Sequence, residues 1–482
     1  MFDREANLML FGIEKNGISS AQVDDGPRRR IVGMVLVVYV LLIVEGALRK
    51  WALPEFGQVL FFIRDPFVLT IYGMALASGH WPRSSPLLTT ALLLGLLAAV
   101  MAVVQVAVGL GNPQAPLLFA AYGMRSYFFY IPLAFVVAET FQLEDLRRVG
   151  IITFAFVVLS AFLVIAQFYS PVDAPINVGT ADDPLLQFRG LGLNEKHTRP
   201  MGFFTSDGGQ KQLVVSALAL VFAAWGGVFG REGALRILLP AATLGVVACL
   251  AFSGSRGAVL SAALVVIAAM FAAVRGGSEV GRTRLLAVVA AILLLATVLV
   301  PLLFADGLMA FLGRWQDAQA YETTQFSGGI FGRAIYGFID FSRLLVGTPL
   351  LGYGIGMGGN AAILAAASAG GPGLQYSAET DWARHIVDLG PVLGLAFMMF
   401  RIGLVLVVVR RVIVSRSVLA TLLLGYLGYE LLTGQITGQG TINGYAWMFT
   451  GFTLAAVASA NRVASSPEVR PPMVDSFPNL MR

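Results

Sequence analysis

The sequence is poor in cysteine, lysine, histidine and charge. One cysteine among 482 residues, Cys249, excludes an intrachain disulfide. Its setting in VVACLAF reads as a small packing residue and says nothing about compartment. Charged residues make up 13% of the chain, against about 25% in soluble domains. Together with 57% hydrophobic residues and a mean hydropathy of +0.77, this excludes a soluble globular enzyme, a disordered chain and a disulfide scaffold. The apolar residues come in runs of about 20 with no alternation, so membrane-spanning helices are expected and an outer-membrane barrel is excluded. The three histidines, His80, His197 and His385, stand far apart, and no Cys-rich or HExxH cluster is present. No metal site and no cofactor are expected. There is no SxxK pair, nucleophile elbow or kinase signature, so covalent catalysis is not suggested. The net charge of +5 is not gathered in one patch, so nucleic acid is not an expected partner. No cleavable signal peptide is recognisable, because the first 30 residues are polar and the first apolar run is too long for a signal core.

What is present is an all-α polytopic membrane protein. About twelve spans are expected, near 31–48, 58–77, 87–109, 117–138, 149–168, 212–229, 235–253, 257–274, 285–305, 386–409, 417–433 and 442–460. A polar arm, 1–30, precedes them, and a Pro- and Ser-rich tail, 461–482, reads as disordered. With both termini in the cytoplasm, the inner segments hold about 19 basic residues and the short outer loops about 3. Two outer connections are long, about 170–211 and about 306–385. Their tryptophans, tyrosines and arginines are not a disordered composition. The later one is expected to be partly helical, around 328–346 and 359–369.

Charges inside or at the ends of spans are costly and mark function by default. Here they gather at the outer end, where positive charge should be scarce. Arg49 and Lys50 close the first span, beside Trp51. Arg64 lies in the second span with Asp65 next to it and Glu45 on the neighbouring span as candidate partners. Arg125 lies in the fourth, within YGMRSYFFY, with no partner on its own helix. Arg256 occupies the turn SGSRG. Arg189, Arg199, Arg314, Arg333 and Arg384 lie in the long loops. Only four of the 33 basic residues are lysine. Arginine offers a rigid fork of donors that matches phosphate oxygens, so a phosphate or diphosphate ligand at the outer surface is the chemistry this pattern fits. The alternative for each is a structural ion pair, an interface anchor or a turn cap. Asp381, Arg384, His385 and Asp388 share one helical face if ETDWARHIVDLGPVLG is helical. The segments GYGIGMGGN (352–360), SDGGQ (206–210) and TGQITGQGT (433–441) are Gly-rich and read either as turns or as polar contacts for sugar hydroxyls.

Four segments, in order, resemble the O-antigen ligase and polymerase superfamily of bacterial inner-membrane glycosyltransferases, and within it the exopolysaccharide polymerases. They are EGALRKWALP followed by FFIRDPFVL, RPMGFFTSDGGQ, AFSGSRGAVLSAAL, and the late loop from GRW through GYGIGMG to ETDWARHIVDLGPVLGL. The resemblance covers about 31–460. It implies an active site facing the periplasm and a substrate carried on undecaprenyl diphosphate. The growing glycan is the donor, and a hydroxyl of the next lipid-linked unit displaces the lipid diphosphate without a metal. The implied diphosphate- and glycan-binding residues are Arg49, Arg64, Arg125, Arg199, Arg256, Arg314, Arg384 and Trp382. The candidates for the base are His385, Glu379 and Asp388. Where family ligases place a His-Asn pair, His385 is followed by Ile386, so Arg384 or Glu379 is the alternative carrier of that role. The implied partners are the lipid bilayer and the flippase and chain-length or export proteins of the same pathway. A ligase acting on a finished glycan and a secondary transporter of an anionic solute are the competing readings.

Overall fold

The structure, a computed structural model, describes residues 25–111, 116–179, 190–191, 197–230, 232–275, 279–325, 329–359, 378 and 380–465. The arm up to residue 24, the tail from 466, Glu379, and all but the first residue of the helix expected at 359–369 lie outside the described residues.

Helices α1 (Gly26–Ala47), α2 (Asp65–Ala77), α3 (Pro86–Ala107), α4 (Pro116–Met124), α5 (Ile131–Thr140) and α6 (Leu143–Tyr169) form the first half. A two-residue pair of strands follows, β1 (Gly190–Leu191) antiparallel to β2 (His197–Thr198). Helices α7 (Asp207–Gly226), α8 (Leu235–Phe252), α9 (Arg256–Arg275) and α10 (Glu279–Leu303) come next. The late excursion contributes α11 (Ala305–Gln325), α12 (Gly329–Ile339) and α13 (Phe341–Gly347). The chain closes with α14 (Asp381–Ser415), α15 (Val418–Thr433) and α16 (Gly440–Ser465). Among the described residues, eight helices are long and apolar enough to cross a membrane, so the fold is that of an all-α multi-pass membrane protein. The expected count of twelve is not reached by that measure. The fourth expected span is broken into α4, a π-helical turn at Arg125–Phe129, and α5, and α15 is only 16 residues long.

Burial sorts the helices. From Leu213 to Ala224 every residue of α7 is buried, and α16 is buried over most of its length, so these two are apolar all round and form the centre. Tyr39 of α1 packs edge-on against Tyr445, Phe449 and Phe452 of α16 there. Leu96 of α3 and Leu294 of α10 are among the exposed leucines on the rim, as a lipid-facing surface requires.

Three boundaries depart from the sequence expectation. α1 begins at Gly26 rather than 31, because Pro27 suits the first turn and Arg28 turns inward to Asp145 (2.7 Å) and the Thr140 carbonyl (2.9 Å). α16 runs to Ser465, past the expected tail boundary at 461. The stretch 306–325, expected as loop, is a continuous helix.

The largest departure is α14. The sequence predicts one span at 386–409. Instead the helix breaks at Gly390 (φ 73°) before Pro391, and the chain doubles back. Twenty residues of unbroken helix would separate Asp381 and Arg401 by about 30 Å, yet their side chains meet at 2.5 Å. The ring of His385 also packs on Phe397, with centroids 4.9 Å apart. Residues 381–389 therefore lie antiparallel against 391–401. Pro391 has no N–H to give the Val387 carbonyl, and the N–H of Tyr353 takes that carbonyl at 2.7 Å. The Gln105 amide covers the next one, Asp388, at 3.0 Å, and its oxygen accepts from Ile355 at 3.0 Å. A Cβ on Gly390 would lie 2.1 Å from the Leu350 carbonyl oxygen, so only glycine fits this bend. The glycine-rich stretch 352–358 is thus the strap that satisfies a broken helix.

Candidate functional site

The turn from Thr433 to Gly440, between α15 and α16, is where the polar residues converge. Thr437 donates to Asp381 (2.8 Å). Gly438 lies against the Arg384 guanidinium, Gln439 accepts from Ser206, and the Gly440 carbonyl accepts from Arg64. Around this turn the arginines form three groups.

The first group is buried between α1, α2 and the π-helical turn. Arg64 pairs with Glu45 (2.9 Å) and not with Asp65, and Arg49 shares that carboxylate at 3.3 Å. Arg125 takes Asp65 with two nitrogens, at 2.5 and 3.0 Å, and Tyr130 donates to the same carboxylate at 2.7 Å. The partner that Arg125 lacks on its own helix comes from α2. Lys50 donates to the carbonyls of Gly202 and Phe204 (2.8 and 2.7 Å), pinning the RPMGFF segment.

The second group is the doubled-back part of α14. The i, i+3, i+4, i+7 face is realised: Asp381, Arg384, His385 and Asp388 are each 2% exposed or less. Arg384 donates to the carbonyl of Gly358 (2.6 Å) and to Asp381 (2.9 Å). Arg401 donates to Asp381 (2.5 Å), to Nε2 of His385 (2.8 Å) and to the Leu431 carbonyl (2.9 Å). Tyr127 donates to Asp388 (3.0 Å) and stands 3.2 Å from His385 Nδ1. Both ring nitrogens of His385 are thus engaged. Trp382 points elsewhere: its indole donates to the Leu432 carbonyl (2.5 Å), and its ring meets Phe338 and Phe341.

The third group is accessible. Arg199 pairs with Asp207 at the start of α7. Arg256, the first residue of α9, makes a two-pronged bond to Glu322 of α11 at 2.9 and 2.7 Å, and Arg333 of α12 adds a third at 3.0 Å. Arg314, on α11, has no carboxylate in ion-pair contact among the described residues. Burial, with Arg199 and Arg256 close by and only Asp207 opposing, pushes its guanidinium down to about 10. Among the described residues these arginines pair with two carboxylates, Asp207 and Glu322, with side-chain exposures of 21% (Arg199), 25% (Arg256) and 43% (Arg333), whereas Arg64 and Arg384 stand at 1% and 3%. Beside them Pro200, Asp207, Gln210, Lys211, Ser253 and Ser255 line a narrow cleft between α7, α8 and α9. Gln210 is buried there with its amide nitrogen unpartnered. Lys211 reaches from the cleft to the buried carboxylate of Glu430, which also accepts from Gln212 at 2.8 Å.

Glu322 sets a pH dependence. Hydrogen bonds from Arg256 hold its carboxyl below the ordinary value of 4.5, against the opposing effect of burial. A lowered folded-state value means the clamp of α11 onto α9 is fully present above that ordinary value and is lost as pH falls through the lower one. Protection from hydrogen exchange along 305–325, relative to the intrinsic rate at each pH, is expected to be constant from neutral pH down to about 5 and to be lost only below the ordinary carboxyl range. In Glu322→Gln the step at low pH should vanish.

Sequence reasoning missed Arg401, Tyr127 and Glu322, whereas Gln210 lies in the SDGGQ segment it singled out. Arg401 was visible as a lone charge in FMMFRIGLVLVVV. Glu322 and Tyr127 carry no local signal, since their partners are 66 and 258 residues away.

No protein-family model matches the sequence, and neither a curated protein nor a solved structure matches it at a significant level.

Proposed function

We propose that the protein is a glycosyltransferase of a bacterial inner membrane that polymerises oligosaccharide units carried on undecaprenyl diphosphate. The termini lie in the cytoplasm and the reaction takes place at the periplasmic face. The observation that carries this reading is Arg314, a cation with no carboxylate in ion-pair contact among the described residues, set near Arg199 and Arg256 and close to a narrow cleft that Asp207 lines. A diphosphate would meet guanidinium groups from three separate elements, and the surplus positive charge would be neutralised by the ligand rather than by the protein.

In the reaction a hydroxyl of the incoming unit attacks the anomeric carbon of the growing glycan. The bond from that carbon to the lipid diphosphate breaks, and the diphosphate leaves with the electron pair. Negative charge develops on the leaving group, where fixed cations in a partly dry site are worth most. The hydroxyl proton needs an acceptor. Asp207, part-exposed beside the same arginines, is placed for it. Asp388 and His385 are instead tied to Gly358, Tyr127 and Arg401. Bringing two membrane-anchored substrates side by side supplies much of the remaining rate.

The test is complementation of a strain lacking this gene, with lipid-linked glycans resolved on a gel. Loss of long chains with single units accumulating on the lipid is the expected phenotype of the deletion. Long chains that remain on the carrier but never reach a final acceptor would indicate a ligase. Unchanged glycans in the deletion would overturn the reading and favour transport.

A further inference from the structure

We infer that Arg401 is a positioning residue that locks His385 as a neutral imidazole protonated on Nδ1, so that this histidine donates a hydrogen bond and takes up no proton. Its consequence for catalysis rests on the function proposed above; the lock itself does not.

A guanidinium has five N–H donors, no acceptor, and keeps its charge at every accessible pH. Arg401 Nη1 lies 2.8 Å from Nε2 of His385. Two donors cannot face each other at that distance, so Nε2 presents its lone pair and the ring proton sits on Nδ1. Nδ1 is 3.2 Å from the Tyr127 hydroxyl, which accepts it and spends its own proton on Asp388 Oδ2 at 3.0 Å. Asp388 Oδ1 accepts from the Gly358 N–H (2.6 Å), and the Gly358 carbonyl accepts from Arg384 Nε (2.6 Å). Arg384 Nη1 donates to Asp381 Oδ1 (2.9 Å), and Asp381 Oδ2 accepts from Arg401 (2.5 Å). The circuit closes on itself with every proton assigned a direction.

Among the described residues, the charged and titratable groups around the ring are all in that circuit. They are Asp381, Arg384 and Asp388 from the first arm of α14, Arg401 from the second, and Tyr127 from the π-helical turn. The 433–440 turn contributes neutral groups to it, Thr437 at Asp381 and the Gly434 carbonyl at Arg401 (3.3 Å). Protonating His385 at Nε2 would set it against Arg401 and break the circuit. The circuit holds Arg384 and the strap 352–358, so the imidazole acts as a tie between the two arms of the hairpin. A network whose members are all satisfied fixes a single geometry, which is the use expected of buried polar groups around a site.

The chain has three histidines, so full-length protein labelled with nitrogen-15 histidine in lipid nanodiscs gives a spectrum that His385→Gln assigns by subtraction. The expected result is one neutral ring carrying its proton on Nδ1, unchanged from about pH 8 to about pH 5, a range in which a free histidine titrates. In Arg401→Lys, which keeps the charge but loses the fork, that signal should change tautomer or begin to titrate. Tyr127→Phe, a milder change, should alter the Nδ1 resonance alone. In chain-elongation assays Arg401→Lys should lower kcat on the order of a hundredfold with KM little changed, as expected for a site moved out of register. A cationic or Nε2-protonated His385 at pH 7 in the unaltered protein overturns the inference. Absence of elongation by the unaltered protein overturns the proposed function and leaves the spectroscopic result to stand alone.

Discussion

Replacing Arg314 with alanine lowers glycan elongation on the order of a hundredfold, the loss expected for one fixed donor to a leaving anion, while thermal unfolding stays within about 0.5 kcal/mol of the unaltered protein. Activity and stability separate at this residue. Arg256→Ala also removes a charge from the candidate diphosphate site, but it breaks the clamp on Glu322, so lost activity and lost structure arrive together. Arg314 has no such clamp among the described residues. Its half-buried guanidinium is disfavoured by burial and by Arg199 and Arg256. Removing it relieves repulsion among the three arginines and costs only what a bound anion would have contributed. Elongation by purified protein on lipid-linked units, beside a melting curve of the same sample, measures both. Full activity in Arg314→Ala would show that the third arginine group does not hold the leaving diphosphate.

Replacing Asp381 with alanine has the opposite signature. It leaves Arg384 and Arg401, 2% and 1% exposed, without their shared carboxylate. Stranding a buried charge costs about 3–5 kcal/mol, enough to deplete the protein from the membrane. Asp381→Asn keeps one oxygen for Thr437 and Arg384 and should lose less. The double variant Asp381→Ala with Arg401→Met should recover part of the loss, because it removes one of the two stranded charges along with their partner. Unfolding midpoints for the three variants decide this. A shift below about 1 kcal/mol for Asp381→Ala would mean that water or an ion already shares the load.

Much of this architecture is legible in the sequence, because lipid forces each span to declare itself as an apolar run. The helices Leu143–Tyr169 and Glu279–Leu303 end within two residues of the expected spans 149–168 and 285–305 and begin six residues earlier. The sequence is weakest where a span is interrupted. Gly390–Pro391 stands in plain view as a helix breaker, yet periodicity alone does not say that the chain folds back on itself; that depends on Asp381 finding Arg401. The amphipathic α12 was expected, whereas the polar α11 has no apolar stripe strong enough to announce it.

The site divides in the same way. The concentration of arginine at one end is a property of composition and position, so it is visible in advance. The sorting into buried ties and accessible cations is not, because it is decided by carboxylates from other helices. Arg64 illustrates the point. Asp65 beside it is the obvious partner, but consecutive helical residues point apart, so Glu45 takes Arg64 and Arg125 takes Asp65. Of the eight candidate binding residues, the structure brings Arg199, Arg256 and Arg314 near one another, with Arg199 paired to Asp207 and Arg256 to Glu322. It closes Arg49, Arg64, Arg125 and Arg384 into ion pairs, and turns Trp382 away toward α12 and α13.

The most direct measurement is reconstitution. Purified protein in liposomes is given a short lipid-diphosphate-linked repeat unit with a labelled sugar, and products are separated by size and by attachment to lipid. A ladder of chains still bound to lipid, with one free lipid diphosphate released for each bond formed and a rate lower on the order of a hundredfold in Arg314→Ala, is the expected result. Intact single units after prolonged incubation, with the protein folded and the substrate on the side of the membrane carrying α11, would contradict it.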